Sequence, residues 1–155
     1  MNDRTINHTR GDLVLSTDRT RIDAGLVLSW LRGSHWGGAM TRPSLDRAIE
    51  NSVCVGVYDA SGAQLAFARA ITDLATYAYL TDVIVAEHAR GRGIGGWMIE
   101  AILAHPDLQG LRRIALFTRD ARRLYEKFGF STDTPKSVYM ELRPGRGDAA
   151  QGVLL

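Results

Sequence analysis

The stretch EHARGRGIGG, residues 87–96, is the most informative part of the sequence for the fold. Its four glycines and two arginines lie between two apolar runs, VIV at residues 83–85 and WMIEAIL at residues 97–103. Glycines at the start of a helix let backbone N–H groups approach an anion, and the helix dipole adds positive potential there. The stretch therefore predicts a phosphate-binding turn. Two alternatives stay open on the loop alone, a solvated glycine turn and an arginine–glycine segment that contacts RNA.

The same glycines match the dinucleotide pattern G-x-G-x-x-G from Gly91 to Gly96. In dinucleotide-binding folds the first glycine follows a strand almost directly, inside a parallel strand–helix–strand unit. Here residues 86–90 separate the apolar run from Gly91, and the short connections before it favour antiparallel hairpins. No Gly-Lys-Ser/Thr follows, which excludes a P-loop. The dinucleotide interpretation is therefore disfavoured.

Hydrophobic periodicity and turn signals place the remaining elements in the order strand, two helices, three antiparallel strands, helix, strand, helix, strand. The predicted strands are residues 12–16, 52–58, 64–71, 77–85, 113–118 and 137–142, and the predicted helices are residues 23–32, 44–50, 94–104 and 120–128. This order predicts an α+β (mixed α/β) fold with helices packed on a mostly antiparallel sheet.

Composition limits the class of protein. The 155 residues, 45% of them hydrophobic, suit one globular domain, which we expect to span residues 1–143 with residues 1–11 flexible and residues 144–155 a mobile tail. A net charge of +2 is too small to indicate a nucleic-acid-binding protein. No apolar stretch approaches the roughly 20 residues of a membrane helix. The single cysteine, Cys54, lies in an apolar run and is expected to be buried in a reducing, cytoplasmic protein.

A second motif follows the loop and one further strand: residues 121–130 read ARRLYEKFGF. Together with RGRGIG at residues 90–95, it resembles the GNAT superfamily of acyl-CoA-dependent N-acetyltransferases. That superfamily has a diphosphate loop Arg/Gln-x-x-Gly-x-Gly/Ala after a strand and a later helix reading roughly A-x-x-L-Y-E-K-x-G-F. The likeness covers about residues 13–142. It implies a central mixed sheet, mostly antiparallel, that splays between the fourth and fifth strands.

The resemblance implies that acetyl-CoA is the co-substrate and binds where those two strands part. Pantetheine would pair with the backbone of the fourth strand, and pyrophosphate would take N–H groups of the loop. The matching cofactor-binding positions are Val83, Ile84, Val85, Arg90, Gly91, Arg92, Gly93, Ile94, Gly95 and Gly96. Thr118 stands where many relatives carry an asparagine that contacts pantetheine, and Lys127 is either a solvated charge or a contact to a CoA phosphate.

The resemblance also implies direct attack of an amine on the thioester, with a tyrosine protonating the departing thiolate. The matching residue is Tyr125, and a phenol with a pKa near 10 suits a thiolate near 8.5. Asp82 is the candidate base, because it takes the second position of an acidic pair found in polyamine-type members. The alternatives are Glu87, His88 or a water relay, and a purely structural carboxylate at position 82.

The acceptor pocket is expected between the first two helices and the middle strands. Its candidate contacts are Trp36, Phe67, Arg69 and Tyr79, with core packing as the alternative role for Phe67. The preferred acceptor is a primary amine of a small molecule, and a protein amine is the alternative. A CoA-binding sensor with little turnover and a nucleic-acid binder are the competing functions, and a homodimer is an open alternative. The four histidines lack metal-ligand spacing, so no metal is expected.

Overall fold

The computed structural model describes residues 4–134 and 139–144 of the 155-residue chain. Its strands and helices follow one another in a single sheet-and-helix unit, with short 3₁₀ turns between some of them. In chain order they are β1 (Asn7–Arg10), β2 (Leu13–Ser16), α1 (Ala24–Arg32), α2 (Arg42–Glu50), β3 (Ser52–Tyr58), β4 (Gln64–Thr72), β5 (Tyr77–Val85), α3 (Ile94–Leu103), β6 (Arg113–Ala115) and α4 (Arg122–Glu126).

The six strands form one sheet in the order β1-β2-β3-β4-β5-β6. The first five strands are antiparallel to their neighbours, and β5 and β6 are parallel. The short turns between β3, β4 and β5 suit hairpins, whereas α3 makes the longer crossover that a parallel pair requires. The prediction of a mixed, mostly antiparallel sheet is confirmed.

Helices cover both faces of this sheet, as the sequence predicted. On one face α1 and α2 pack against Cys54 and Phe67, and on the other α3 buries Met98 and Ile102 against alternate residues of the strands. Each large aliphatic side chain that is fully buried in this way stabilises the fold by about 1.5–3 kcal/mol. The N-terminal end of α1 is capped by Asp23, whose carboxylate accepts the Leu26 N–H at 2.9 Å.

Some element bounds differ from the prediction. Residues 7–10 lie within the segment expected to be flexible, and they form β1, paired with β2. Helix α2 begins earlier than expected, because Thr41 and not Ser44 is its cap: Thr41 Oγ1 accepts the Ser44 N–H at 3.3 Å. The proline at position 43 suits the first turn because its φ is already helical.

The C-terminal expectations are met only in part. The strand predicted over residues 137–142 begins outside the described residues, and residues 139–142 form no regular strand. The tail predicted from residue 144 onward also lies outside the described residues, except for Pro144 itself. The strand expected over residues 113–118 ends at Ala115, because the chain leaves the sheet there.

Strands β5 and β6 part after only three residue pairs. Tyr77, Ala78 and Tyr79 of β5 face Arg113, Ile114 and Ala115 of β6, and no further pairing joins the two strands in the described part of the chain. The second half of β5 therefore has β4 on one edge and an open edge on the other. This parting lies between the fourth and fifth strands of the sequence prediction, which are β5 and β6 here.

Candidate active site

A cleft of about 910 Å³ lies between α1, the end of β5 and α4. This volume is within the range of roughly 300–1,000 Å³ that small-molecule sites occupy. Among the residues predicted for a site, those that line it are Trp36, Val83, Ile84, Val85, Arg90, Gly95 and Tyr125. Residues from three distant parts of the sequence thus meet in one concave surface.

The floor of the cleft is backbone. The Ala86 N–H bonds to the Leu65 carbonyl at 2.8 Å, and ladder bonds alternate along an antiparallel pair. By that alternation Ile84 is bonded to β4, and the peptide groups of Val83 and Val85 point to the open edge. One of them is already used, because Arg90 Nε donates to the Val85 carbonyl at 3.1 Å. The other N–H and carbonyl groups of Val83 and Val85 are available to bond to the amide groups of a ligand.

The glycine loop opens directly into α3. Gly91 and Gly93 have φ values of 78° and 74°, the left-handed region that glycine adopts without strain. The first bond of α3 runs from the Trp97 N–H to the Gly93 carbonyl at 3.1 Å, and no side chain caps the helix. The N–H groups that precede Trp97 are therefore free of helical partners. They lie at an uncapped helix start, the position where the sequence predicts an anion-binding turn.

The two arginines of the loop have structural contacts as well as charge. Arg90 ties the loop to β5 through the bond to Val85 described above. Arg92 lies 3.4 Å from the Asp12 carboxylate in an exposed pair, which contributes little to stability. Since Arg92 is held only weakly, its guanidinium is available to a phosphate near the start of α3.

Tyr125 lies on α4 and contributes to the wall of the cleft. Its ring is 9% exposed and packs edge-on against Phe130 at 5.8 Å between centroids. Burial raises the pKa of the Tyr125 phenol above its ordinary value of 10.0, and the negative charge of Asp120 raises it further. Among the described residues the hydroxyl has no hydrogen-bond partner. Tyr125 is thus a protonated phenol at neutral pH whose O–H is free to donate.

Other predicted site residues lie away from the cleft. Phe67 is fully buried between the sheet and the helices α1 and α2, so core packing explains it. Tyr79 is half-buried and its ring lies 6.0 Å from that of Phe117. Thr118 is exposed and accepts the Ala121 N–H at 3.0 Å, where it fixes the turn before α4. Lys127 is exposed at the end of α4.

Asp82 and Arg69 form a buried ion pair that the sequence did not reveal. Arg69 Nε lies 2.6 Å from Asp82 Oδ2, and the two residues are 8% and 5% exposed. Arg69 also donates to Ser52 Oγ at 3.3 Å. Neither residue lines the cleft. The two were predicted separately, one as base and one as an acceptor contact, yet each is the other's partner.

One stripe of α1 forms a wall of the cleft, on the side where the sequence predicts the acceptor pocket. Leu26, Ser29, Trp30 and Gly33 line the cleft, at helical spacing i, i+3, i+4, i+7. The buried residues of the same helix, which include Val27 and Leu31, form the neighbouring stripe. Leu26, Ser29 and Gly33 were not predicted as contacts, because a stripe that mixes apolar and small residues gives no distinct signal in the sequence.

The loop after α1 presents Trp36 to the cleft. Trp36 is 49% exposed, and its ring meets that of His35 edge-on at 4.9 Å. The loop is held against α1 by close packing, because a Cβ on Gly37 would lie 2.7 Å from the Leu31 carbonyl oxygen. Trp36 therefore adds an exposed aromatic surface at the mouth of the cleft.

Cys54 lies away from the cleft, and we expect it to be inert in the native protein. It is 2% exposed, and burial raises the pKa of its thiol to about 12 from an ordinary 9.0. Thiolate is the reactive form, so at pH 8 Ellman reagent should react about a thousandfold more slowly with the native protein than with the denatured protein. Rapid reaction of protein with an unchanged circular dichroism spectrum would contradict this placement.

Comparisons with known proteins agree with this architecture. A family model described as an acetyltransferase (GNAT) domain matches residues 50–132. A protein of Gibberella zeae, named as a candidate acetyltransferase, is 32% identical over 143 residues, covering 78% of this chain and 80% of the relative. The chain belongs to the GNAT acetyltransferase family.

Solved structures show the same fold. A candidate GNAT acetyltransferase from Xanthomonas campestris pv. campestris is 40% identical with a TM-score of 0.79, over 89% of this chain and 98% of that one. A Clostridium acetobutylicum protein described as an acetyltransferase was solved with acetyl-CoA. It is 18% identical with a TM-score of 0.59, over 84% of this chain and 94% of that one. At that identity the likeness concerns the fold alone.

Within residues 4–134 and 139–144, no group of three or more His, Cys, Asp or Glu side chains is placed to hold a metal ion. In the same part of the chain, no helix combines the length and the apolar character needed to cross a bilayer.

Proposed function

We propose that this protein transfers an acetyl group from acetyl-CoA to the primary amine of a small molecule. One observation carries the proposal: the open edge of β5, the uncapped start of α3 and the Tyr125 phenol all border one cleft. The first two provide backbone donors and acceptors for an extended ligand with an anionic part. The third provides a proton at the point where the ligand would react.

The residues present fit acetyl-CoA. Pantetheine carries amide groups that match the unpaired peptide groups of Val83 and Val85, in the manner of an added strand. The free N–H groups at the start of α3, with Arg92 beside them, suit a pyrophosphate. Gly93 has no atom within 4 Å of the position its Cβ would take, so the loop leaves open space where a phosphate would approach.

The proposed reaction is a direct transfer. The neutral amine attacks the thioester carbonyl carbon, the new C–N bond forms, and the C–S bond breaks. Tyr125 donates its proton to the departing sulfur, and the proton lost by the amine leaves through water. The raised pKa of Tyr125 keeps the phenol protonated until that step. Tyr125 recovers a proton from solvent, so the products are an N-acetyl amine and free CoA.

The acceptor is proposed to enter beside α1. Trp30 and Trp36 line that side of the cleft, and flat aromatic faces suit apolar or cationic amines. Glu87 and His88 also line the cleft and are exposed, so either is placed to relay the amine proton to solvent. The ion pair with Arg69 favours a different role for Asp82, argued below.

The engaged hydroxyl of Thr118 favours one alternative, a CoA-binding module with little turnover. Thr118 already accepts the Ala121 N–H and so offers less to pantetheine than a free amide side chain would. A panel of primary amines with detection of released thiol separates the two functions. Turnover with any small amine supports the transferase, and binding of acetyl-CoA without turnover supports the module.

Acetyl-CoA should stabilise the protein against heat. A ligand at a hundredfold excess over its Kd adds about 2.7 kcal/mol to the free energy of unfolding, which for this size raises Tm by roughly 5–10 °C. S-acetylpantetheine should raise Tm less, because it lacks the pyrophosphate that the start of α3 would bind. A shift with RNA and none with acetyl-CoA would refute the proposal.

A further inference from the structure

The buried ion pair of Arg69 and Asp82 lies at an irregularity of the sheet. Phe67 of β4 pairs with Ile84 of β5, and Arg69 pairs with Thr81, so two steps along β4 face three steps along β5. The extra residue makes β5 bulge. Asp82 lies in this bulge with a φ of 53°, a left-handed conformation that most residues other than glycine avoid.

The side chain of Asp82 binds Arg69 of β4 across this bulge. Its Oδ2 lies 2.6 Å from Arg69 Nε, and Arg69 is held in turn by Ser52 of β3. A charge-assisted bond between two nearly buried residues is strongly directional, and removal of either partner would leave the other charge buried without compensation. The contacts therefore link β3, β4 and the bulge of β5 by side chains at the point where the backbone ladder is irregular.

The bulge directly precedes the open edge of β5. One inserted residue changes which peptide groups along a strand point to one edge and which to the other. The bulge at Asp82 therefore determines that Val83 and Val85, and not Ile84, direct their peptide groups into the cleft. The ion pair therefore affects the floor of the cleft through the backbone of β5, although neither side chain lines the cleft.

We infer that Arg69 and Asp82 are positioning residues: their ion pair fixes the left-handed bulge of β5 and so aims the backbone of residues 83–85 at the acyl end of the co-substrate. This inference rests on the proposed function. It assigns Asp82 a backbone role in place of the chemical role of a base. A base must reach the amine, whereas this carboxylate is buried against a guanidinium.

The decisive comparison is glycine against alanine at position 82. Both remove the carboxylate, but only glycine adopts a positive φ without strain. Both are made together with Arg69→Met, so that no unpaired charge is left in the core. We expect kcat of Arg69→Met/Asp82→Gly to exceed that of Arg69→Met/Asp82→Ala by about tenfold, because only the glycine variant adopts the left-handed bulge without strain. CoA carries the pantetheine that Val83 and Val85 would bind, so its Kd should also be lower in the glycine variant. The Kd for inorganic pyrophosphate, which would contact only the start of α3, should differ by less than about threefold between the two variants.

Amide chemical shifts give a second readout that does not depend on turnover. In ¹⁵N–¹H spectra the amides of Val83 and Val85 should stay near their wild-type positions in the glycine variant and move in the alanine variant. Equal losses of kcat in both variants with wild-type amide shifts would show that the carboxylate itself reacts. Unchanged kcat and amide shifts in both would remove the ion pair from the positioning of the cleft. Either result overturns the inference.

A neutral hydrogen-bonded pair covers the case in which both of these variants unfold. Arg69→Gln/Asp82→Asn leaves no unpaired charge in the core, allows a side-chain hydrogen bond between the two positions, and places at position 82 a side chain that tolerates left-handed φ. It should retain at least about a tenth of kcat, whereas the loss of a general base costs about a hundredfold or more. A hundredfold loss in this variant overturns the inference. If the wild-type protein itself neither binds acetyl-CoA nor turns over, the proposed function fails, and the amide shifts alone decide the role of the ion pair.

Discussion

Gly93→Asp should weaken CoA binding by more than a hundredfold. The substitution places a carboxylate at the residue before α3, where the free N–H groups would hold pyrophosphate. Two unit charges about 5 Å apart at an effective dielectric constant of about 20 repel by about 3 kcal/mol, which is more than a hundredfold in Kd. Titration calorimetry with CoA measures the loss directly.

A neutral variant separates the effect of charge from that of bulk. A Cβ at position 93 would meet no protein atom within 4 Å, so the folded loop itself accommodates a side chain. Gly93→Asn is therefore the matched control: it has the same shape as the aspartate variant, tolerates the φ of 74° comparatively well, and carries no charge. We expect it to lose about thirtyfold at most, the limit set by left-handed strain of about 1–2 kcal/mol. Equal Kd values for the two variants would move the pyrophosphate site away from this loop.

Tyr125→Phe should lower kcat by about a hundredfold or more and leave the Kd for CoA nearly unchanged. A general acid contributes roughly 10²–10⁴ in rate, and the substitution removes only the hydroxyl while the ring keeps its packing on Phe130. Because burial raises the pKa of the phenol, wild-type kcat should fall only as pH rises above 10.0, and the variant should lack that decline. A pH profile of kcat measures both effects.

Tyr58→Phe is the control for loss of a tyrosine hydroxyl elsewhere. The Tyr58 hydroxyl is buried in β3 and has no hydrogen-bond partner among the described residues. Its removal should leave kcat unchanged and should not lower Tm, because a buried polar atom without a partner is unfavourable. If Tyr125→Phe turned over as fast as this control, Tyr125 would not be the acid.

The predicted site residues that the structure brings to the cleft are those encoded by short local patterns of sequence. The glycine loop and the start of α3 are contiguous in the chain, so composition and element order suffice to locate them. Tyr125 was located by its own helix motif, and the parting of β5 from β6 brings that helix to the cleft. In each case a short stretch of sequence determines the local structure that carries the predicted site residues.

The parts that the sequence did not predict depend on register. Arg69 and Asp82 are thirteen positions apart, and they meet only because β5 carries an extra residue opposite β4. A shift of one residue changes which side chains face each other, and no composition signal marks it. Phe67 illustrates the same limit: its strand was predicted, but the face that α1 and α2 cover was not, so the sequence left both an acceptor contact and core packing open for it.

The open edge of β5 also bears on how the protein behaves in the test tube. An unpaired strand edge can pair with a strand of any other chain that reaches it, and most proteins cover or charge such edges. In this fold the ligand itself would be the cover. Samples kept with CoA should accordingly stay monodisperse longer than samples kept without it, and the cofactor would serve as a storage additive as well as a reactant.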